Sequence, residues 1–311
     1  MPELPEAETI VRGLRPAVIG QRIRRVEVLH EDVLREPKAA FARKLHDALV
    51  VAVGRRAKNV LLRLEDRRVL AVNLGMTGRL LPFSGAPDGA ARPGHPAVRF
   101  RFESGGVLIF DDTRRFGTVE CLTDAEWRER SERMGPEPLA RSYTASRLHA
   151  DLARSRAPVR SWLLDQRRIA GIGNIYANEA LYLAGVHPRR PARSVTADEA
   201  ARLHRSIRRV LRGAIRAGGT TIRDYRTAEG GVGEYVRRLL VYGRDAEPCA
   251  RCGDLVRRLV FGNRSAFYCP TCQPYGARSP RPADGRSTSE RAASGPSAGA
   301  KGAMRGRGGR A

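Results

Sequence analysis

Met1-Pro2-Glu3-Leu4-Pro5-Glu6 sets two carboxylates beside a nitrogen that becomes a free secondary amine once Met1 is removed. An α-amino group ionises at about 7.7–8.0 and a lysine at about 10.4, so near neutral pH far more of the former is unprotonated and nucleophilic. Glu3, adjacent to that amine, is placed to move protons. The same residues also suit an ordinary helix start, where Pro is tolerated in the first turn and acids complement the positive end of the dipole. The hexapeptide alone leaves both readings open.

Four of the five cysteines form the array Cys249-x2-Cys252-x16-Cys269-x2-Cys272. This is the spacing of a four-cysteine zinc ribbon, in which two knuckles clamp a hairpin and four thiolates leave no open coordination position. One structural Zn2+ is expected. Between the pairs, Phe261-Gly262-Asn263-Arg264 presents Arg264 at the hairpin tip, where it suits a phosphate or simply solvent.

Gly171-Ile172-Gly173-Asn174-Ile175 lies between helical segments. Its glycines allow close backbone approach, the N–H groups of the following helix start face an anion, and Asn174 adds a side-chain donor. In a basic chain with a zinc ribbon, a phosphodiester is the expected anion. Asn73-Leu74-Gly75-Met76-Thr77-Gly78 and Asp111-Asp112-Thr113-Arg114-Arg115-Phe116-Gly117 each set a bulky apolar residue where a strand pattern ends. Met76 and Phe116 are therefore either buried core or wedges that, with an arginine, fill the stack vacated by an extruded base. Arg55-Arg56-Ala57-Lys58 begins a strand and either grips phosphate or is a solvated run.

The elements that must position these groups follow from periodicity. Residues 1–16 carry Leu4, Ala7, Val11 and Leu14 at helical spacing. Short Val-, Ile-, Leu- and Phe-rich runs then recur around 22–29, 48–53, 60–64, 69–74, 98–102 and 107–110, a β-sandwich or barrel pattern, with a surface loop at 84–89. From about 124 the period is helical, clearest over Ala145–Ala153, Val159–Asp165, Ile175–Ala184 and Ala197–Ala217. The expected organisation is α+β: an N-terminal part of helix plus strands over 1–135, a helical part over 136–235, a zinc-ribbon element over 236–275 and a disordered basic tail over 276–311.

The 311-residue chain has a formal charge of +24 and a pI near 11.2, which points to a polyanionic partner, either nucleic acid or an acidic membrane surface. The tail holds eight basic residues against two acidic ones, so the body alone keeps +18. No apolar run spans a bilayer and no secretory signal opens the chain, so a soluble cytosolic protein is expected. Only four of the 57 basic residues are lysines, and none lies between Lys58 and Lys301. A lysine nucleophile in the helical half is thereby excluded.

In order and spacing, Pro-Glu-Leu-Pro-Glu, Arg-Arg-Ala-Lys, Leu-Gly-Met-Thr-Gly, Arg-Arg-Phe-Gly, Gly-Ile-Gly-Asn-Ile-Tyr-Ala, Gly-Gly-Thr-Thr and the four cysteines resemble the bacterial formamidopyrimidine-DNA glycosylases (Fpg), and more distantly endonuclease VIII (Nei), over about residues 1–275. Leu4 resembles the Fpg branch, since Nei proteins commonly have Gly there. The resemblance implies an N-terminal helix plus β-sandwich, a helix-two-turns-helix domain with a zinc-ribbon hairpin, and a monomeric, cytoplasmic and nucleoid-associated bacterial enzyme of base excision repair.

Its implied substrate is double-stranded DNA containing an oxidised base, with oxidised purines such as 8-oxoguanine and formamidopyrimidines preferred. Pro2 would attack C1′ and form a Schiff base, Glu3 would donate and accept protons with Glu6 as helper, and β- and δ-elimination would follow. Lys58, Asn174 and Arg264 would hold phosphates, with Lys58 and Arg264 serving catalysis as well. Met76, Arg114 and Phe116 would fill the duplex gap, and Gly218–Tyr235 would include a loop over the extruded base. Arg160, also a DNA contact on this reading, stands where some members use a lysine in lesion choice, and Thr113 stands where Pro is common. A Nei-like pyrimidine specificity and a non-catalytic damaged-DNA binder are the alternatives.

Overall fold

The computed structural model describes residues 2–85, 93–221, 225, 227–228, 231–261 and 264–276. Residues up to Ala277 form one compact unit; the second unit, Arg278–Ala311, lies outside the described residues, as do the tail expectation beyond Gly276 and positions 86–89 of the surface loop. Among the described residues no helix is long and apolar enough to cross a membrane.

The first helix, α1, runs Leu4–Val18 with Glu3 as its N-cap, starting and ending slightly later than the 1–16 pattern. Two four-stranded antiparallel sheets follow. One contains β1 (Ile23–Val28), β6 (Pro96–Phe102), β7 (Val107–Asp111) and β5 (Arg79–Phe83), in that order. The other contains β2 (Val50–Arg56), β3 (Asn59–Leu64), β4 (Val69–Asn73) and β8 (Thr118–Leu122). The inward residues of both sheets, including Val53, Leu62, Val72, Val98, Phe100 and Phe110, share one core with Ala7, Ile10, Val11 and Leu14 of α1. Helix α2 (Lys38–Leu45) adds Phe41 and Leu45 to that core. Six strands coincide with the apolar runs of the sequence; β5, β8 and α2 were not anticipated.

The helical part comprises α3 (Asp124–Glu132), α4 (Ala145–Ala153), α5 (Val159–Leu164), α6 (Asn174–Ala184) and α7 (Ala197–Arg216). Helix α6 is central and buried along nearly its whole length, and its core partners include Leu4 of α1. Glu179 on α6 accepts the N–H groups of Leu240, Val241 and Tyr242 at 2.9–3.0 Å, anchoring the chain before the hairpin of β9 (Arg257–Phe261) and β10 (Arg264–Tyr268).

One expectation is corrected. Arg55 and Arg56 end β2, and Ala57-Lys58 form its turn into β3, with Ala57 at φ 54°. Both guanidiniums are held internally. Arg55 grips the Glu137 carboxylate through two bonds of 3.0 and 2.7 Å, and Arg56 reaches Glu137 at 3.1 Å and the carbonyls of Ser131, Met134 and Gly135. Lys58, the last residue of this run, instead lies in electrostatic reach of Glu3 and Glu6. Removing Glu137 takes the shared carboxylate from two largely buried cations, leaving Arg55 only Glu8 at 3.3 Å, so Glu137→Ala should lower unfolding stability by about 3 kcal/mol, read from the urea midpoint.

Candidate active site and nucleic-acid interface

The N-terminus sits where the sandwich core meets the helical core. Leu4 N–H donates to the Gly171 carbonyl at 2.9 Å, docking the first turn of α1 against the Gly171-Ile172-Gly173 loop. Gly171 has φ 85°, and a Cβ there would lie 2.8 Å from the Leu4 side chain. Glu3 then reaches across to the start of α6. Gly173 N–H donates to its Oε2 at 2.7 Å and Ile175 N–H to its Oε1 at 2.9 Å. A Cβ on Gly173 would fall 2.3 Å from the Glu3 Cδ, so the carboxylate fits only because that position is glycine.

This arrangement revises the expected role of the loop. The anion held by the α6 N-terminus is a carboxylate of the protein itself, where a phosphodiester was expected, and the donor geometry is that of a helix-terminus anion site. Glu3 is only 1% exposed. Burial pushes its carboxyl up to about 7 against the downward pull of the Lys58 charge and the two amide donors, while Glu6 adds a further upward push.

Glu6 is equally enclosed. It accepts the Glu3 N–H at 2.7 Å and the Thr220 N–H at 2.8 Å, and the Tyr176 hydroxyl donates to it. Burial raises its pKa above the ordinary carboxylate value. Gly219 lies at φ 88°, and a Cβ there would meet Glu6 Oε1 at 3.1 Å, which explains the glycines of Gly218-Gly219-Thr220. Pro2, buried beside this pair, precedes Glu3 directly.

Cations gather opposite. Lys58, on the β2–β3 turn, is partly buried; burial lowers its pKa, the Glu3 charge raises it and Arg264 lowers it. The structure therefore brings Lys58 into electrostatic reach of Glu3 on one side and of Arg264 on the other. Arg264 is the first residue of β10, paired with Phe261 at the hairpin end, and is exposed; the intervening Gly262-Asn263 lie outside the described residues. Asn174 Nδ2 donates to the Ser265 carbonyl at 3.1 Å, tying the start of α6 to the hairpin.

Arg160 is 1% exposed. Its guanidinium donates to Asn174 Oδ1 at 2.6 Å and to the Ser265 carbonyl at 2.9 Å, and it stacks over the Phe261 ring at 5.0 Å. Burial, with the neighbouring Arg264 charge, draws its pKa down to about 10. In this arrangement Arg160 is covered by the hairpin and fixes Asn174 and Ser265, whereas a direct DNA contact was expected of it.

Met76, Arg114 and Phe116 do come together, and on the surface. Met76 is 38% and Phe116 57% exposed. Arg114 donates to the Met76 sulfur at 3.4 Å and lies over the Phe116 ring at 4.6 Å. The core reading of the two apolar residues is therefore wrong. Buried Asp112, whose role the sequence did not disclose, braces the two loops: it accepts the Gly117 N–H at 2.8 Å and the Arg114 N–H at 3.3 Å, and the Thr77 hydroxyl donates to it. Gly75 and Gly117 let the backbones touch, since a Cβ on Gly75 would lie 2.5 Å from the Gly117 nitrogen. An apolar pair capped by a guanidinium on a braced loop has the form of a stack-filling wedge.

The ligand sulfurs of Cys249, Cys252, Cys269 and Cys272 all lie within 4.8 Å of one another, with pairs at 3.4, 3.6 and 3.9 Å. Tetrahedral zinc with bonds of about 2.3 Å requires sulfur separations of about 3.8 Å, so the four cysteines fit one structural zinc. Most side chains of β9 and β10 are partly or fully exposed, and a lone two-stranded hairpin is marginal in water. The metal and the α6 contacts are what hold it.

Residues 1–119 match the family model of the formamidopyrimidine-DNA glycosylase N-terminal domain, residues 134–226 that of its H2TH domain, and residues 246–274 that of the zinc finger found in FPG and IleRS. Fold and site together define a DNA repair glycosylase of the helix-two-turns-helix type. The formamidopyrimidine-DNA glycosylase of Paracoccus denitrificans is 43% identical over 281 residues, covering 88% of this chain and all of the relative. The MutM (Fpg) protein of Thermus thermophilus is 40% identical with a TM-score of 0.79 over 89% of this chain and all of that one. Lactococcus lactis Fpg, solved with DNA containing an abasic site, is 30% identical with a TM-score of 0.80 over 88% and 99%, and its complex with oxidised-pyrimidine DNA gives 30%, 0.80, 88% and 100%. The chain belongs to the formamidopyrimidine-DNA glycosylase family and is a DNA-binding enzyme of that family.

Tyr176, Thr220, Asp112 and Glu137 complete the site's scaffold; the first three stand within the quoted motifs without disclosing their roles, because Glu6 and Thr77, which they meet, are distant in sequence, and Glu137 stands in no motif. Chelating the zinc should leave the Glu3 environment intact, speed amide exchange over 257–268 and weaken DNA binding at least tenfold. Unchanged affinity with the hairpin exchanging freely would remove the ribbon from the interface.

Proposed function

We propose that the protein is a bifunctional DNA glycosylase and AP lyase that acts on oxidised purines in double-stranded DNA, with the Pro2 amine as nucleophile and Glu3 as proton carrier. The observation that carries this reading is the buried Glu3 carboxyl next to Pro2, held at a pKa of about 7 in reach of the Lys58 charge, with Arg264 in turn in reach of Lys58. Once Met1 is removed, the Pro2 nitrogen attacks C1′, the glycosidic bond breaks, and the base departs with a proton from Glu3. Opening of the sugar gives a Schiff base, and successive β- and δ-eliminations release the strand on both sides. Glu6, fixed by Thr220 and Tyr176, holds the Glu3 backbone and is the helper. Lys58, Asn174 and Arg264 grip the phosphates around the extruded nucleotide, Arg160 positions Asn174 and the Ser265 carbonyl, and Met76, Arg114 and Phe116 fill the gap.

The work divides among a catalytic domain at 1–135, a DNA-binding helical domain at 136–235, a zinc finger at 236–275 and a basic tail at 276–311, in a cytoplasmic monomer. A preference for oxidised pyrimidines is the second reading, supported by the Lactococcus lactis complex with such DNA and by Arg160 in the place of a lysine.

Borohydride should trap the protein on lesion DNA in a covalent adduct that maps to Pro2. An N-terminal extension that keeps this nitrogen in a peptide bond should abolish both trapping and cleavage; equal trapping by the extended protein would refute the nucleophile assignment. Excision of 8-oxoguanine compared with thymine glycol decides between the two lesion classes. The pH profile carries a second expectation. The protonated fraction of Glu3 falls as pH rises through about 7, while the free amine rises through about 7.7–8.0. Single-turnover base release should therefore be bell-shaped with a maximum near pH 7.4, and Glu3→Gln should lower it at least about 100-fold.

A further inference from the structure

Helix α7 carries Arg205, Arg209, Arg212 and Arg216 at spacings of four, three and four. At 3.6 residues per turn these positions share an arc of about 60°, and they extend over about 16 Å of axis. All four are exposed, and none has an ion pair or hydrogen bond through its guanidinium among the described residues. The buried positions of the helix, including Leu203, Ile207, Val210 and Ala214, lie on the opposite side, where α7 packs against α1, α4 and α6. Arg238, also exposed and without an ion pair among the described residues, extends this surface, for it lies near Tyr235 together with Arg209 and Arg216.

The contrast with other arginines of the body is one of chemistry. Arg55 and Arg56 share Glu137, Arg79 pairs with Asp111, Arg130 with Glu120 and Arg190 with Glu199. On α7 each neighbouring pair of arginines repels, with no acid among the described residues paired to any of the four. Such a face is matched by a regular array of anions, and one DNA strand offers a phosphate about every 3.4 Å of axis, or about five along the stripe.

Orientation decides which DNA. Glu3 and Glu6 are held by α1, the start of α6 and the Gly219-Thr220 turn beyond the end of α7, and α1 and α6 lie on the packed side of α7. The arginine stripe faces away from them. We propose that this outward face of α7 binds the phosphate backbone of a second DNA segment while the site holds the lesion duplex, so that one protein molecule bridges two duplexes and can pass between them. The inference rests on the lesion duplex occupying the site described above, but it requires no catalytic step.

The test uses the full chain, a donor-labelled duplex carrying an abasic-site analogue and an acceptor-labelled undamaged duplex. The parent should give energy transfer with one protein per two duplexes by sedimentation. About four phosphate contacts imply a salt slope near −3.6, so bridging should weaken about a hundredfold between 50 and 200 mM salt. The variant R205Q/R209Q/R212Q/R216Q alters only exposed side chains. It should lose bridging at least tenfold while keeping lesion-duplex affinity and excision within twofold. A strictly one-to-one parent complex, bridging by two protein molecules, or a variant that loses lesion binding in step with bridging would each overturn the proposal. Failure of the Schiff-base reading would leave the bridging result untouched.

Discussion

The carboxylate of Glu3 on the first-turn amides of α6 is the contact on which the rest of the site depends. It joins the two cores, because Glu3 caps α1 of the sandwich while its side chain is held by the central helix of the second half. Two opposed effects set its proton affinity. Removal from water favours the neutral acid, while the amide donors and the Lys58 ammonium favour the ion, and the balance at about 7 leaves a group able both to give and to take a proton near neutrality. Gly171 and Gly173 are fixed by the same contact, since any side chain on either would push the first turn of α1 away.

The protein carries its positive charge on separate supports. Lys58 comes from a β-turn whose neighbouring arginines are neutralised by Glu137, Arg114 from a loop braced by Asp112, and Arg264 from a zinc-held hairpin latched to α6 through Asn174, Asn178 and Glu179. Each support is tied either to α6 or to the sandwich, so Lys58 and Arg264 are held at fixed positions despite their repulsion. Arg160 belongs with these supports. A guanidinium buried without an acid is costly, and here two acceptors and the Phe261 ring meet part of that cost.

Much of this was legible in the sequence where information is local. The zinc ligands follow from spacing, the first helix from periodicity, and six strands from short apolar runs. Strand β5 was missed because Pro82 interrupts a short run, β8 because Glu120 stands within it to pair with Arg130, and α2 because it offers only Phe41 and Leu45 as a buried pair. The partner of the Gly-x-Gly loop was illegible for a different reason. The loop correctly suggested an anion, but nothing local could reveal that the anion lies 170 residues earlier in the same chain. Likewise a run of two arginines looks the same whether it meets phosphate or Glu137, and Met76 and Phe116 look like core until Asp112 is seen to hold their loops outward.

The proton affinity of Glu3 is the property that most directly tests this account. Titrating the side-chain carboxyl carbon of Glu3 by NMR, with the resonance assigned through Glu3→Gln, should give a midpoint near 7. A midpoint at the ordinary glutamate value, about 4.5, would show that the carboxylate is solvated rather than held on the start of α6, and would contradict the central claim.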